Sequence, residues 1–268
     1  MTVLDLWLAR WKLVLDGSPL ATPTSHLIPV RQDGVPLMLK IALHEEERRG
    51  SALMAYYTGD NAARVLACEG EALLMERARG GAPLIEMARS GRDDEATTII
   101  CGVIARLHAP RKSPLPSDLP PLHTWFRELD LAGLKHGGLF AEGAITAREL
   151  LAHPREIVVL HGDIHHGNVL FDDARGWLAI DPKGGIGERY FDYTNIFCNP
   201  DFATATATGR LQSQVKLIAT DAHLEPDRLM RWVFAYACLS ASWSLAESED
   251  AIVSRAVAEI AASALGLH

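Results

Sequence analysis

The chain has 268 residues, of which 48% are hydrophobic and 22% charged, and 26 Lys and Arg against 34 Asp and Glu leave a net charge of −8. This composition excludes collagen-like, disordered and disulfide-scaffold proteins, because the hydrophobic content is high and only four cysteines occur. The acidic balance also argues against a nucleic acid or an anionic membrane as the main partner.

The charge is unevenly distributed along the chain. Residues 1–90 carry 10 basic and 11 acidic side chains, whereas residues 91–268 carry 16 and 23. The second part would attract a cationic small molecule, although solubility alone explains many acidic surfaces. Charged residues interrupt the N-terminal segment, and the longest nearly apolar run, 232–246, is too short to cross a bilayer. We therefore expect a cytoplasmic monomer with reduced cysteines and neither a signal peptide nor a membrane segment.

The first 77 residues predict a small β-sheet with at least one helix. Asp33-Gly34 offers favourable turn chemistry between two apolar runs and predicts a hairpin. Three glutamates open the segment 45–57, where they suit the N-terminal end of a helix dipole. In chain order, this part is predicted to contain a helix over 3–15, hairpin strands over 26–30 and 35–42, a helix over 45–57 and strands over 63–68 and 71–77.

Beyond a predicted linker at 78–83, helical patterns dominate. Ile99, Val103 and Leu107 recur at helical spacing within 84–108, and five prolines mark 110–121 as a rigid loop. Further helices are predicted over 122–135, 141–152, 210–221, 225–246 and 250–265, and strands over 156–160, 168–171 and 177–181. This order suggests two lobes, 1–77 and 78–268.

Three polar side chains follow or end the apolar β runs of the 157–181 region. Asp163 follows the first run, Asn168 comes five residues later, and Asp181 ends the third run. One carboxylate and one amide oxygen are enough protein ligands for Mg²⁺ when nucleotide phosphates complete its shell. A second carboxylate can then accept a proton from a hydroxyl nucleophile. These three residues are therefore candidates to bind a magnesium nucleotide and to activate a hydroxyl nucleophile at one site.

The motif H-G-D-x-x-x-x-N, followed by a short hairpin and I-D-P, resembles the catalytic loop of the aminoglycoside phosphotransferase family. The longer run from His161 to Asn195 is similar to the streptomycin 6-phosphotransferase and hydroxyurea-resistance kinase branch. The resemblance implies an α+β, bilobal protein-kinase-like fold with a small β-rich N-lobe and a larger, mostly helical C-lobe. It also implies that Asp163 is the catalytic base, that Asn168 and Asp181 bind magnesium, and that His161 supports the loop.

The same resemblance implies a nucleotide site in the first 77 residues. Lys40, at the end of an apolar run, would contact the nucleotide phosphates. Glu47 is the chosen ion-pair partner of this lysine, and the adjacent Glu45 and Glu46 remain open as rivals.

Further nucleotide contacts are expected at the hinge and before Lys40. Backbone groups near Glu76 and Ala78 would hydrogen-bond the adenine, and Ser25 stands where a protein kinase has glycines. The chain departs from protein kinases in two ways, because it has no G-x-G-x-x-G before the lysine and no D-F-G after the hairpin. The first departure is common among antibiotic kinases, so it leaves the family resemblance intact.

The resemblance implies a kinase that uses Mg²⁺ to transfer phosphate from ATP or GTP to a hydroxyl of a cationic aminoglycoside such as streptomycin. This phosphorylation would make the host resistant to the antibiotic. The candidates for the substrate contacts are His166, Glu247, Glu249 and Asp250. Asp192 is expected to anchor the catalytic loop instead.

Three alternatives stay open at this point. A metabolic kinase of another sugar, an amino alcohol or a hydroxyurea-like compound would differ only in its helical substrate pocket. A catalytically silent nucleotide-binding pseudokinase is disfavoured by the intact motif. A zinc metallohydrolase would use His161, His165 and His166 with the neighbouring aspartates, but adjacent histidines point in different directions, and this hypothesis leaves Lys40 and Asn168 unexplained.

Overall fold

The structure is a computed structural model that describes residues 2–78, 83–246 and 250–267. It divides into two compact units. The first unit comprises Met1–Gly81, Pro110–Leu119 and Leu170–Gly184, and the second comprises Ala82–Ala109, Pro120–Val169 and Gly185–His268. The composition of these units differs from the two lobes predicted from the sequence, 1–77 and 78–268, because the segments Pro110–Leu119 and Leu170–Gly184 pack with the first unit. The assignment of nucleotide binding to 1–77 and catalysis to 78–268 stays a prediction.

The elements are numbered in chain order. The α-helices of the described residues are α1 Val3–Arg10, α2 Glu45–Tyr57, α3 Pro83–Arg89, α4 Asp93–Leu107, α5 Arg127–His136, α6 Gly138–Ala152, α7 Phe202–Ala205, α8 Arg210–Asp221, α9 Pro226–Ala246 and α10 Ile252–Leu265. The strands are β1 Val14–Leu15, β2 Leu20–Ala21, β3 Ser25–Gln32, β4 Val35–Ala42, β5 Val65–Glu69, β6 Ala72–Glu76, β7 Ile157–Leu160, β8 Val169–Asp172, β9 Gly176–Ala179 and β10 Gly185–Glu188. Short 3₁₀ segments cover Leu122–Thr124 and Arg189–Cys198.

An antiparallel sheet forms the core of the first unit, in the order β1-β3-β4-β6-β5 with β2 paired to β3. The predicted hairpin is confirmed as β3 and β4. Asp33 and Gly34 connect these strands with φ angles of 49° and 80°, which a two-residue type I′ turn requires. Apolar side chains of the sheet, such as Leu39 and Leu74, pack with Trp7 of α1 in one buried cluster.

The structure corrects two predicted helices. The helix expected over 3–15 ends at Arg10, because the chain turns at Lys12 with a φ of 52° and continues as β1. The helix expected over 84–108 is interrupted between α3 and α4, where Gly91 has a φ of 86°. Strand β10, helix α7 and the 3₁₀ segment Arg189–Cys198 were not predicted. Most of the predicted linker at 78–83 lies outside the described residues.

The β8–β9 hairpin follows the catalytic motif but belongs to the first unit for most of its length. A parallel bridge joins Ala62 to Ala179, where the Ala63 amide donates to the Ala179 carbonyl at 3.0 Å. The guanidinium of Arg175 also bonds the Glu76 carboxylate and the Gly59 carbonyl. These contacts attach the hairpin, and therefore the Asp181 that follows it, to the sheet-bearing unit.

Helix α2 approaches the segment after β9 very closely. A Cβ atom at Gly50 would lie 2.1 Å from the Pro182 carbonyl oxygen, a distance that no side chain tolerates. A glycine at this position is therefore required for α2 to contact the backbone next to Asp181.

Helix α9 lies at the centre of the second unit, and its Trp232 is fully buried. The carboxylate of Glu188, on β10, accepts bonds from Arg228 at 2.6 Å and from the Trp232 indole nitrogen at 2.9 Å. Strand β7, which precedes the catalytic motif, pairs with β10, which leads into the 3₁₀ segment Arg189–Cys198.

Across the described residues, no helix combines the length and hydropathy that a membrane span needs.

The close approach of α2 predicts opposite effects for two helical glycines. We expect Gly50→Ala to lower the free energy of unfolding by about 1–3 kcal/mol, because the added methyl group must push α2 away from Pro182. Gly102→Ala in α4 is the matched control. Its Cβ would meet nothing within 4 Å, so helix propensity should raise stability by up to about 1 kcal/mol. Urea denaturation of both variants measures the difference, and equal stabilities would contradict the packing argument.

Candidate active site

The loop 161–168 of the second unit carries the H-G-D-x-x-x-x-N motif and is called the catalytic loop below. It is held by the buried carboxylate of Asp192. The His161 amide donates to its Oδ2 at 2.9 Å and the Gly162 amide donates to its Oδ1 at 2.8 Å. The imidazole Nε2 of His108, at the end of α4, lies 2.7 Å from Oδ2. The prediction that Asp192 anchors the loop is therefore confirmed.

These partners keep Asp192 ionised despite its complete burial. Burial alone would raise the pKa of this carboxyl. The hydrogen bond and charge of His108, together with His161 and the Gly162 amide, outweigh burial and hold the pKa below its ordinary value. The loop is thus fixed by a charged group that is costly to expose or to leave unpaired.

Asp163 and Asn168 face each other across this loop. The Asn168 amide nitrogen donates to the Asp163 carbonyl oxygen at 2.8 Å and lies 3.2 Å from its Oδ2. The other carboxylate oxygen, Oδ1, accepts from Asn195 at 2.9 Å. Within the described residues the Asn168 side-chain oxygen accepts no hydrogen bond, so it is available to a hard cation. Asp163 is half-buried, so its carboxylate is accessible to a small molecule.

In the first unit, Lys40 forms ion pairs with Glu47 and Asp181. The lysine is 4% exposed and Glu47 is 2% exposed, whereas the Asp181 side chain is 39% exposed. Among the three candidate glutamates, Glu47 is thus the ion-pair partner, as predicted, while Glu45 and Glu46 are exposed on other faces of α2. Asp181 is the member of this cluster that an incoming ligand can reach.

A second lysine, which the sequence reading missed, also binds Glu47. Lys183 donates to its Oε1 at 2.5 Å. Burial would raise the pKa of Glu47, but the charge of Lys40 and the bonds from both lysines lower it below its ordinary value. The buried carboxylate of Glu47, on α2, is therefore held by two cations, Lys40 of β4 and Lys183 of the segment after Asp181.

The remaining predicted nucleotide contacts have local partners. The hydroxyl of Ser25 lies 3.1 Å from that of Thr22 in the turn between β2 and β3. The Glu76 amide donates to the Arg64 carbonyl at 2.9 Å, so this donor is already used. Ala78 lines an open surface cavity of about 600 Å³ together with residues of the β3–β4 turn. Their roles in nucleotide binding stay predictions.

The predicted substrate residues do not form one site in the described residues. His166 is fully buried and its Nε2 lies 3.8 Å from Asp93 Oδ1, a placement that does not support a substrate contact. Asp250 is exposed and its Oδ1 accepts from the Ile252 amide at 2.9 Å at the start of α10. Glu247 and Glu249 lie outside the described residues.

Asp93, at the start of α4, lies next to His166 of the loop. It accepts from Arg210 Nε at 2.7 Å and from Arg210 Nη2 at 3.1 Å, and the amide of Gln214 donates to it at 3.1 Å. Burial would raise the pKa of Asp93, but His166 and Arg210 outweigh burial and lower that pKa to about 2. His166 of the loop therefore packs against an ionised carboxylate at the start of α4.

Comparison with known proteins identifies the family. The profile described as "Aminoglycoside/hydroxyurea antibiotic resistance kinase" matches residues 10–248. The chain belongs to this family. It is therefore an aminoglycoside-type phosphotransferase, and its family implies a nucleotide, a divalent metal and a small-molecule substrate.

Two relatives and one solved structure illustrate the match. The kinase is 48% identical to streptomycin 3''-kinase of Klebsiella pneumoniae, over 89% of this chain and 91% of that protein. It is 28% identical to streptomycin 6-kinase of Streptomyces griseus, over 94% of this chain and 84% of that protein. A thermostable mutant of aminoglycoside phosphotransferase APH(4)-Ia, solved with ADP and hygromycin B, shares the fold with a TM-score of 0.69 at 15% identity. That alignment covers 98% of this chain and 99% of the other, and the predicted kinase-like α+β fold is confirmed.

The zinc alternative finds no support in the described part of the chain, where no group of three or more His, Cys, Asp and Glu side chains could hold a metal ion.

Asn195, Lys183 and His108 are site residues that sequence reasoning missed. The first two lie within three residues of Asp192 and Asp181, so proximity to a motif was the available signal. His108 had none, because it is 84 residues from its partner.

We expect Lys183→Ala to weaken ADP binding by about 3- to 10-fold, because Glu47 loses one of its two cations and Lys40 is less firmly oriented. Lys183→Arg should retain most of the affinity. Lys216→Ala, on the exposed face of α8, removes the same charge far from Glu47 in the chain and should leave affinity unchanged. Calorimetric titration with ADP measures all three, and equal losses in the two alanine variants would contradict the assignment.

The low pKa of Asp93 predicts a pH-dependent contribution to stability. A folded pKa of about 2 against an ordinary value of 3.8 corresponds to about 2 kcal/mol, present above pH 4 and lost as the pH falls toward 2. Asp93→Asn should therefore be less stable than the wild type at pH 7, with a difference that shrinks below pH 4.

Urea denaturation across this pH range tests the Asp93 prediction. Asp94→Asn, at the exposed neighbouring position, is the matched control. It keeps a side-chain oxygen that can accept from Gln214, as Asp94 does at 2.6 Å, and should lose much less. A difference between the wild type and Asp93→Asn that does not change with pH would rule out the ionised carboxylate as its source.

Proposed function

We propose that this kinase transfers the γ-phosphate of ATP to the 3''-hydroxyl of streptomycin with the help of Mg²⁺. The choice of streptomycin and of its 3''-hydroxyl is based on sequence identity, because the chain is 48% identical to streptomycin 3''-kinase and 28% identical to streptomycin 6-kinase. This choice differs from the 6-phosphotransferase branch that the motif resembles. We expect the kinase to act in the cytoplasm as a monomer and to make its host resistant to the antibiotic.

The observation that carries the chemistry is the geometry around Asp163. Its loop backbone is held by Asp192, and its carboxylate is fixed by Asn168 and Asn195. A half-buried carboxylate in this position can orient the acceptor hydroxyl and accept its proton during attack on the γ-phosphate. The donor set suits a base that is positioned by hydrogen bonds and is not bound to metal.

The residues present also fit a nucleotide with a divalent metal. The amide oxygen of Asn168 and the exposed carboxylate of Asp181 are the oxygen ligands that Mg²⁺ prefers. When bound, the metal neutralises phosphate charge. Lys40 would donate to phosphate oxygens while Glu47 keeps its ammonium group oriented. Backbone groups near Glu76 and Ala78, and the turn at Ser25, are the proposed remaining nucleotide contacts, for ATP or GTP.

The cationic character of the substrate is part of the proposal. Streptomycin carries guanidinium groups, which pair well with carboxylates through charge-assisted hydrogen bonds. Glu247, Glu249 and Asp250 remain the proposed partners for these groups.

Coupled measurement of ADP release tests the proposal. Streptomycin should stimulate ADP release from ATP, and Asp163→Ala should lower kcat by about 10²- to 10⁴-fold, because the general base is lost. The acceptor panel includes other aminoglycosides, fructosamines, amino alcohols and hydroxyurea, and a second series replaces ATP by GTP. NMR of the product identifies the phosphorylated hydroxyl.

Each outcome separates one part of the proposal. Phosphate at position 6 would overturn the 3''-hydroxyl alone. Turnover of another acceptor, with streptomycin inert, would favour the metabolic-kinase alternative. If no acceptor raises ADP release above that of Asp163→Ala, the kinase function is wrong and the pseudokinase alternative is favoured.

A further inference from the structure

We propose that Asn195 is a positioning residue that orients the catalytic carboxylate of Asp163, and that Asn199 fixes the orientation of Asn195. This inference rests on the proposed role of Asp163 as the base. Asn195 is 8% exposed and lies in the 3₁₀ segment Arg189–Cys198. Its side-chain nitrogen donates to Asp163 Oδ1 at 2.9 Å.

The direction of the Asn195 amide follows from a backbone group. Asn199 lies 3.0 Å from the Asn195 carbonyl oxygen, which can only accept, so the Asn199 side chain must present its nitrogen there. The same nitrogen donates to Asn195 Oδ1 at 3.0 Å. The Asn195 side-chain oxygen is therefore occupied, and its nitrogen is the atom that faces Asp163.

The opposite orientation would be unfavourable at both ends of the Asn195 side chain. Its nitrogen would face the Asn199 nitrogen, and its oxygen would face a carboxylate oxygen of Asp163. Each contact would replace a hydrogen bond by a repulsion between like partial charges. The pair of asparagines thus always presents a donor to the catalytic carboxylate.

This donor determines which carboxylate lone pairs face the substrate. Asn195 bonds Oδ1 and Asn168 approaches Oδ2, so the carboxylate plane is held from two sides. The His165 Nε2 lies 4.0 Å from Oδ1, which is too long for a hydrogen bond. A carboxylate held in this way is ready to accept a proton without rotating first.

One short segment therefore supplies both supports of the loop. In a 3₁₀ segment, residues three apart lie on the same face, and Asp192 and Asn195 have this spacing. Asp192 holds the loop backbone through His161 and Gly162, whereas Asn195 holds the reacting side chain. The division predicts different consequences for their substitution, because loss of Asn195 leaves the loop anchored.

Steady-state kinetics of the full chain test the inference. Asn195→Ala should lower kcat by about 10- to 100-fold and change the KM for streptomycin and the Kd for ADP by less than about threefold. Asn195→Asp should lose more than the alanine variant, because a carboxylate then faces the base. Asn199→Ala should lose about 3- to 10-fold, and the double variant should lose no more than Asn195→Ala alone.

A chemically matched control is available in the first unit. The side-chain nitrogen of Asn61 donates to the Asp60 carboxylate at 2.8 Å, which is the same type of bond at a pair that does not include Asp163. Asn61→Ala should keep kcat within about twofold of the wild type.

Two results would overturn the inference. The first is a wild-type kcat in Asn195→Ala. The second is a loss of kcat matched by an equal loss of ADP affinity and a lower Tm, which would indicate collapse of the site. If another acceptor is turned over in place of streptomycin, the proposed substrate fails, and the same comparison with that acceptor still tests Asn195.

Discussion

The catalytic loop depends on one buried negative charge. The Asp192 side chain has no access to water, so its carboxylate must be satisfied by protein donors. Two of those donors are the backbone amides of His161 and Gly162, and the third is the imidazole of His108. Because removing any donor would leave a buried charge less well paired, the loop, the end of α4 and the 3₁₀ segment are held together. Asp163 is positioned as a consequence.

The first unit uses the same physical device with the charges arranged differently. Glu47 is buried and shared by Lys40 and Lys183, so two ammonium groups surround one carboxylate. Lys40 also pairs with Asp181, whose carboxylate is the exposed member of this cluster. Gly50 allows α2 to come close enough for this arrangement, because any side chain there would collide with Pro182. Helix position and charge pairing are therefore coupled.

Several of the acidic side chains after residue 90 are structural. Asp93 pairs with Arg210 and Glu188 pairs with Arg228, so these carboxylates are neutralised inside the second unit. The number of acidic side chains therefore overstates the carboxylates that a cationic substrate can reach, although each pair also uses an arginine and leaves the net excess unchanged. It also shows why charge counts along a sequence are weak guides to binding, since they include carboxylates that hold helices together.

The sequence by itself determined the chemistry and the local elements. Motif spacing selected Asp163, Asn168 and Asp181 as the predicted site residues. Local patterns gave the bounds of α2 and α8, because these signals depend on neighbours in the chain. The choice of Glu47 over Glu45 and Glu46 was made from sequence but depended on the rotation of α2 against the sheet.

Only the tertiary structure decided which distant groups meet. It paired β7 with β10, buried His166 against Asp93 and aimed Asn195 at Asp163. Each of these contacts joins residues about 25 to 75 positions apart, and packing across such distances leaves no periodic signal in a single sequence.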